Sequence, residues 1–168
     1  MALDATHFRA VMGCLVAGVT VATTLDRQGT PRGLTATAVC SVSLTPPLVL
    51  VCIDQAADCY EAFREARAFA VNLLREDQES LSRYFATKDA LKFEGIAHRP
   101  GVTGVPILSG ALAHLECLLT AQYPGGDHTI FVGEAVDSAM AISEEDGSPL
   151  VHFRGGYAHL DARPAGAS

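Results

Sequence analysis

Basic side chains are scarce in this sequence. Twelve lysines and arginines stand against 19 aspartates and glutamates in 168 residues, a formal net charge of −7. The deficit is uneven, because residues 101–168 hold two of the cations and eight of the acids. A nucleic-acid-binding protein needs a basic face to neutralise phosphates, and an anionic membrane surface selects for one too, so both partners are disfavoured. A phosphorylated small ligand would be held mainly by backbone N–H groups, hydroxyls and the few cations of the first hundred residues. Long apolar runs are also lacking. The longest, residues 46–53, is eight residues, against the ~20 that cross a bilayer. Residues 1–20 show no basic stretch followed by a long apolar one, so the expected address is cytoplasmic. Cysteine pairs with metal or redox spacing are missing: Cys14, Cys40, Cys52, Cys59 and Cys117 are odd in number and contain no C-x-x-C. They read as reduced, mostly buried thiols. G-x-S-x-G, H-E-x-x-H, G-x-G-x-x-G and the P-loop pattern are all absent, which sets aside elbow-type serine hydrolases, zincins and Rossmann or P-loop nucleotide binding.

What is present reads as one globular domain over residues 1–168, 49% hydrophobic and 18% charged, without repeats or a composition break. Asp4 N-caps a predicted helix over residues 4–16 with Phe8, Val11, Met12 and Leu15 at helical spacing. Strands are predicted over 19–25, 32–38, 48–54, 68–74, 111–123 and 129–142, with a last hairpin of 150–153 and 157–160. Helices are predicted over 55–66 and 77–86, residues 87–108 read as loop, and 161–168 as a short frayed tail. Pro124-Gly125-Gly126-Asp127 is a strong hairpin turn. Seven or eight strands, with two or three helices not regularly interleaved, imply an antiparallel barrel carrying helices.

Three features carry candidate chemistry. Thr35, Thr37, Ser41, Ser43 and Thr45 place five hydroxyls at odd positions, which would share one face of an extended chain, with small residues between them. Such a surface lets a flat ring approach the backbone and binds heteroatoms without a basic side chain. The same pattern also reads as a half-exposed threonine-rich strand running into a turn. His128, at the start of a strand after two glycines, suits a hydrogen bond to a ligand or a proton transfer, or simply closes the hairpin. His152 and Tyr157 around Arg154-Gly155-Gly156 line a site or close the barrel. Glu116 and Glu134 lie on predicted strands, but any two strands offer such a pair, so no glycoside chemistry follows.

Taken in order, nine segments resemble the flavin reductase-like family over about residues 8–160. They are Gly18-Val19-Thr20-Val21-Ala22-Thr23-Thr24, Gly33-Leu34-Thr35-Ala36-Thr37-Ala38, Ser41-Val42-Ser43-Leu44-Thr45-Pro46-Pro47-Leu48-Val49, Phe69-Ala70-Val71-Asn72-Leu73-Leu74, Phe85-Ala86, Leu115-Glu116-Cys117, Gly126-Asp127-His128, Val132-Gly133-Glu134 and Gly155-Gly156-Tyr157. The resemblance implies a split β-barrel of the FMN-binding type, mainly β with helices, working as a homodimer. It implies an oxidoreductase in which NADH or NADPH reduces FMN or FAD, as in the reductase component of a two-component flavin-dependent monooxygenase that hands reduced flavin to a separate oxygenase. The alternative is a split-barrel flavoprotein that carries or senses flavin without turnover.

Carried over by position, the resemblance places Thr35, Ala36, Thr37 and Ala38 along the flavin ring and Ser41 at its ribityl or phosphate end. Cys52, Ile53 and Asp54 continue the wall, and Phe85, Ala86, Lys92 and Phe93 close over it, with Lys92 as a phosphate cation. His128 falls beside the nicotinamide, with Tyr157 in the same pocket. The sequence departs from the family at Thr37-Ala38, where many relatives have Asn-Ser. It departs again at Ala57 and Cys59, where relatives often carry a Ser-x-Thr pair.

Overall fold

The computed structural model describes residues 3–88, 92–140 and 147–160. In chain order its first elements are α1 (Ala5–Met12), β1 (Ala17–Gly18), β2 (Thr20–Leu25), β3 (Pro31–Ala36), β4 (Val39–Leu44), β5 (Pro47–Asp54), α2 (Tyr60–Glu65) and β6 (Ala68–Leu73). A 3-10 turn (Glu76–Gln78) leads into α3 (Glu79–Phe85). Then follow β7 (His98–Pro100), β8 (Pro106–Leu108), β9 (Ala113–Gly125), β10 (His128–Met140), β11 (Val151–Phe153) and β12 (Gly156–Ala158).

Seven strands form one antiparallel sheet in the order β3-β2-β6-β9-β10-β5-β4. Its two edge strands, β3 and β4, are joined through Thr37 and Ala38 alone. Laid flat, seven strands would separate those edges by about 29 Å, which so short a connection cannot span. The sheet therefore curls until its edges meet, and the Cys52 N–H donates to the Ala38 carbonyl at 3.0 Å beside the junction. Two small sheets, β1-β11-β12 and β7-β8, flank it.

One core fills the curl, with Ala22, Val51, Ile53, Phe63, Phe69, Val71, Cys117 and Phe131 packed together. A second, of Val19, Val21, Leu74, Phe85, Leu108 and Leu150, lies under α3. Gly133 is required where β9 and β10 slip register: a Cβ there would sit 2.6 Å from the Phe69 ring and 2.7 Å from Cys117. Asn72 is fully buried between the cores. Its amide donates to the Val21 carbonyl at 3.0 Å and the Thr23 hydroxyl at 3.2 Å, and accepts from the Leu108 N–H at 2.9 Å.

The barrel class agrees with the sequence reading, and the details depart from it in places. Twelve strands are present among the described residues, against seven or eight expected: β1, β7 and β8 are only two or three residues long, and β4 is a separate strand of six residues within the hydroxyl-rich stretch. The first helix ends at Gly13, and its apolar stripe is uncovered: Phe8, Val11 and Met12 are all exposed and α1 buries no residue. The second helix starts at Tyr60 because Asp54 first organises a turn, its carboxylate accepting from the Ala56 N–H. Residues expected to be loop contain the β7–β8 hairpin. The hydroxyl-rich stretch is not one strand. It bends at Thr37–Ala38 and carries a bulge between Ser41 and Ser43, so its hydroxyls do not all share a face. The last two positions of the strand expected over 129–142, and the tail 161–168, lie outside the described residues.

Candidate functional site

The end of β5 gathers candidate residues from both of its neighbours. On one side the Ala38 carbonyl is bonded to Cys52. On the other, β10 places His128 directly across from Asp54, and Gln55 locks that corner, its N–H donating to the Asp127 carbonyl at 3.0 Å and its amide to the His128 carbonyl at 3.3 Å. The Thr37–Ala38 turn and His128 thus flank one strand, two residues apart along it. Strand spacing and rise put them about 12 Å from each other. Thr37, Ala38 and Asp54 are exposed, so this rim is open to a ligand.

His128 is held by its neighbour. Its Nδ1 lies 2.7 Å from an Asp127 carboxylate oxygen, and its side chain is 41% exposed. The hydrogen bond and charge of His128 hold the Asp127 carboxyl below the usual carboxylate range. With Asp127 accepting from Nδ1–H, Nε2 is the nitrogen that can meet a ligand, accepting when neutral and donating when protonated.

Lys92 is almost completely buried beside the same rim. Its ammonium donates to the Phe85 carbonyl at 3.2 Å and to the Gly33 carbonyl and an Asp58 carboxylate oxygen at 3.4 Å each. All three donors are therefore occupied, at long distances. Phe85 is fully buried, with the Phe93 ring edge-on to it at 5.2 Å, and Ala86 is exposed at the end of α3. Gly33 permits this packing, since a Cβ there would lie 3.1 Å from the Phe85 ring and 3.0 Å from a β2 carbonyl.

A second knot forms around Ser82 of α3. The Thr35 hydroxyl donates to the Ser82 carbonyl at 2.6 Å, and the Ser82 and Tyr157 hydroxyls share a hydrogen bond at 2.8 Å. Arg83 lies over the Tyr157 ring at 4.8 Å, and His152 meets its edge at 5.9 Å. Thr35 and Tyr157 thus share Ser82 as a partner.

Thr37 and Ser41 do share a cleft, of about 560 Å³, walled by Cys40 and Ser43 and floored by apolar residues including Val49, Val71, Leu73 and Leu115. Ala36 and Ile53 are buried, leaving mainly backbone to offer. Cys52 is half-buried, and burial pushes its thiol pKa up. Cys59 is buried in the core, where burial pushes its thiol up to about 11, and Ala57 packs against that core, so this turn lends no hydroxyl to a phosphate. Glu116 does not face Glu134: the bulges set it opposite Asp137, while Glu134 pairs with Leu118. Asp58, Ser82 and Asp127 are site members that sequence reasoning missed. Only Asp127, adjacent to His128 in the turn, carried a local signal.

Comparison with known proteins follows the same lines. The family model of the flavin reductase-like domain matches residues 12–161. A flavin reductase (NADH) of Kitasatospora aureofaciens is 44% identical over 158 residues, covering 93% of this chain and 82% of that protein. The reductase component of a 4-nitrophenol 4-monooxygenase/4-nitrocatechol 2-monooxygenase from Rhodococcus opacus is 42% identical, covering 94% of this chain and 82% of its own length. Among solved structures, the NADH:FAD oxidoreductase SgcE6 of Streptomyces globisporus, in complex with NAD and FAD fragments, superposes with a TM-score of 0.88 at 35% identity, covering 97% of this chain and 96% of that one.

Proposed function

The chain belongs to the flavin reductase-like family, and from that premise we propose that it is an NAD(P)H:flavin oxidoreductase that supplies reduced FMN or FAD to a separate oxygenase. The observation that carries this reading is the family match from residue 12 to residue 161. The donor set at the rim fits a flavin: exposed backbone at Thr37–Ala38, hydroxyls of Thr37 and Ser41, and one cation nearby. When bound, the flavin supplies the hydride-accepting ring and the nicotinamide supplies the hydride, so this chain's work is to orient the two and exclude water.

Each side chain has a proposed part. The turn at Thr37 and Ala38, with the backbone of Ala36, lies along the ring, and Thr37 offers a hydroxyl where many relatives have an amide. Ser41 holds the ribityl chain, Cys52, Ile53 and Asp54 form the wall at the end of β5, and Phe93 with Ala86 covers it. Thr35 and Phe85 support that wall from below, through Ser82 and the core under α3. Lys92 faces the phosphate by releasing Asp58. His128, oriented by Asp127, contacts the nicotinamide through Nε2, and Tyr157 closes the far side.

A homodimer accounts for the uncovered apolar surface. Leu15 and Val16 line the cleft and are exposed, as are Val42, Leu44 and the α1 stripe. A second copy seated there buries that surface and walls the flavin groove. Among the described residues no helix is long and apolar enough to cross a membrane. Cytoplasmic placement and a single domain over residues 1–168 complete the proposal.

The test is consumption of NADH and NADPH on addition of FMN or FAD. Turnover with at least one pair supports the reductase. Flavin binding without turnover supports the carrier or sensor reading, and no flavin binding overturns both.

A further inference from the structure

Leu115 lines the cleft, so its β9 neighbours His114 and Glu116 point to the other face of the sheet. There β10 sets Asp137 opposite Glu116, and one ligand atom from each of the three side chains lies within 4.8 Å of the others. This cluster sits nine residues along β10 from His128, about 30 Å from the flavin rim, and does not depend on the flavin reading.

Two observations point to a cation as the shared ligand. The His114 side chain is 8% exposed, and its Nε2 is buried without a hydrogen-bond partner, 4.0 Å from an Asp137 carboxylate oxygen. A buried polar nitrogen left unpaired is costly, and this one is aimed into two carboxylates. Glu116 is fully buried and firmly placed. It accepts from the Val102 N–H at 3.1 Å and from the Thr103 N–H and hydroxyl at 2.9 Å each. Gly101 makes the room, since a Cβ there would fall 2.1 Å from a Glu116 oxygen.

We propose that His114, Glu116 and Asp137 form a structural site for a divalent transition cation of the Zn²⁺, Mn²⁺ or Co²⁺ class. One imidazole nitrogen with two carboxylates favours such borderline cations over Mg²⁺ or Ca²⁺, which prefer all-oxygen sets. Metal–ligand bonds of about 2.0–2.2 Å place tetrahedral donors about 3.4 Å apart. The His114–Asp137 gap of 4.0 Å closes to that by about 0.6 Å, and Asp137, with its side chain 40% exposed, is able to move. Three protein ligands leave a fourth position to water. Since Glu116 already ties the turn at 101–103 to β9, the ion would fasten that turn to β9 and β10 together.

The test uses the full chain stripped with a chelator and titrated with Co²⁺ alone, followed by Zn²⁺. The wild type should bind one equivalent with visible absorption of a four- to six-coordinate nitrogen–oxygen site, release it to Zn²⁺, and melt at a higher temperature with metal. His114→Gln should lose the absorption and the thermal shift, and Asp137→Asn should bind at least about tenfold more weakly. Absence of saturable binding overturns the proposal. So does unchanged affinity in His114→Gln, or a thiolate charge-transfer band that assigns the ion to cysteines. If His114→Gln does not fold, Asp137→Asn decides, and wild-type affinity in that variant overturns the site.

Discussion

The pairing of Lys92 with Asp58 sets up a competition that flavin phosphate must win. Lys92 has its three donors on Phe85, Gly33 and Asp58, the last at 3.4 Å. Asp58 is the member that can let go, since its side chain is 27% exposed and can hydrate. Replacing it by Asn removes a negative charge from beside an arriving phosphate while keeping the shape. Two unit charges about 5 Å apart at an effective dielectric of about 20 interact by about 3 kcal/mol, and solvent at Asp58 cuts that to about 1.5 kcal/mol. Asp58→Asn should therefore tighten FMN about tenfold and leave riboflavin, which has no phosphate, within about twofold. Lys92→Met should do the opposite, weakening FMN at least about tenfold against riboflavin. Fluorescence titration of both flavins into each variant reads the four constants. The reasoning is refuted if FMN and riboflavin shift together in both variants, because Lys92 then clips Gly33 and Phe85 together and touches no phosphate.

Three further outcomes follow from named contacts. His128→Ala should raise the apparent KM for NADH about tenfold while changing the flavin Kd less than about twofold, and equal losses in steady-state kinetics and flavin titration would remove His128 from the nicotinamide side. Asn72→Leu orphans the Leu108 N–H and should lower stability by about 2–4 kcal/mol in urea denaturation. An unchanged midpoint would show the buried amide to be dispensable. For Asp26, burial raises the carboxyl pKa, but hydrogen bonds from the Thr30 N–H, the Arg32 guanidinium and the Gln28 N–H outweigh it and hold the group below its ordinary 3.8. A depressed folded value stabilises fully above the unfolded value and is lost as pH falls through the folded one. The stability advantage of wild type over Asp26→Asn should thus be constant near neutrality and fall away as pH drops below 3.8. An advantage that grows on acidification contradicts the assignment.

The sequence spoke clearly wherever the determinant was local. Pro124-Gly125-Gly126-Asp127 gave the β9–β10 hairpin, with Gly126 at φ +76° as its turn demands. Family motifs in register gave the barrel. It was silent where partners are far apart in the chain. An amphipathic pattern in α1 states which side is apolar but not what covers it, and here none of the described residues does. Alternating hydroxyls from Thr35 to Thr45 carry no sign of the bend at Thr37–Ala38, which is imposed by closing the sheet. Lys92 and Asp58 are 34 residues apart, Ser82 and Tyr157 are 75 apart, and no local pattern reports such pairs. The register slips that set Glu116 against Asp137 arise from bulges, one of them at Gly133, where a close approach rather than a turn requires the glycine.

The most direct measurement mixes this protein anaerobically with oxidised FMN or FAD and a stoichiometric amount of NADH or NADPH, and follows the yellow flavin band. The account predicts rapid bleaching with one nicotinamide–flavin pair, far faster than without protein and markedly slowed in His128→Ala. A flavin band that stays unbleached with every pair, at protein concentrations where flavin is bound, would contradict it.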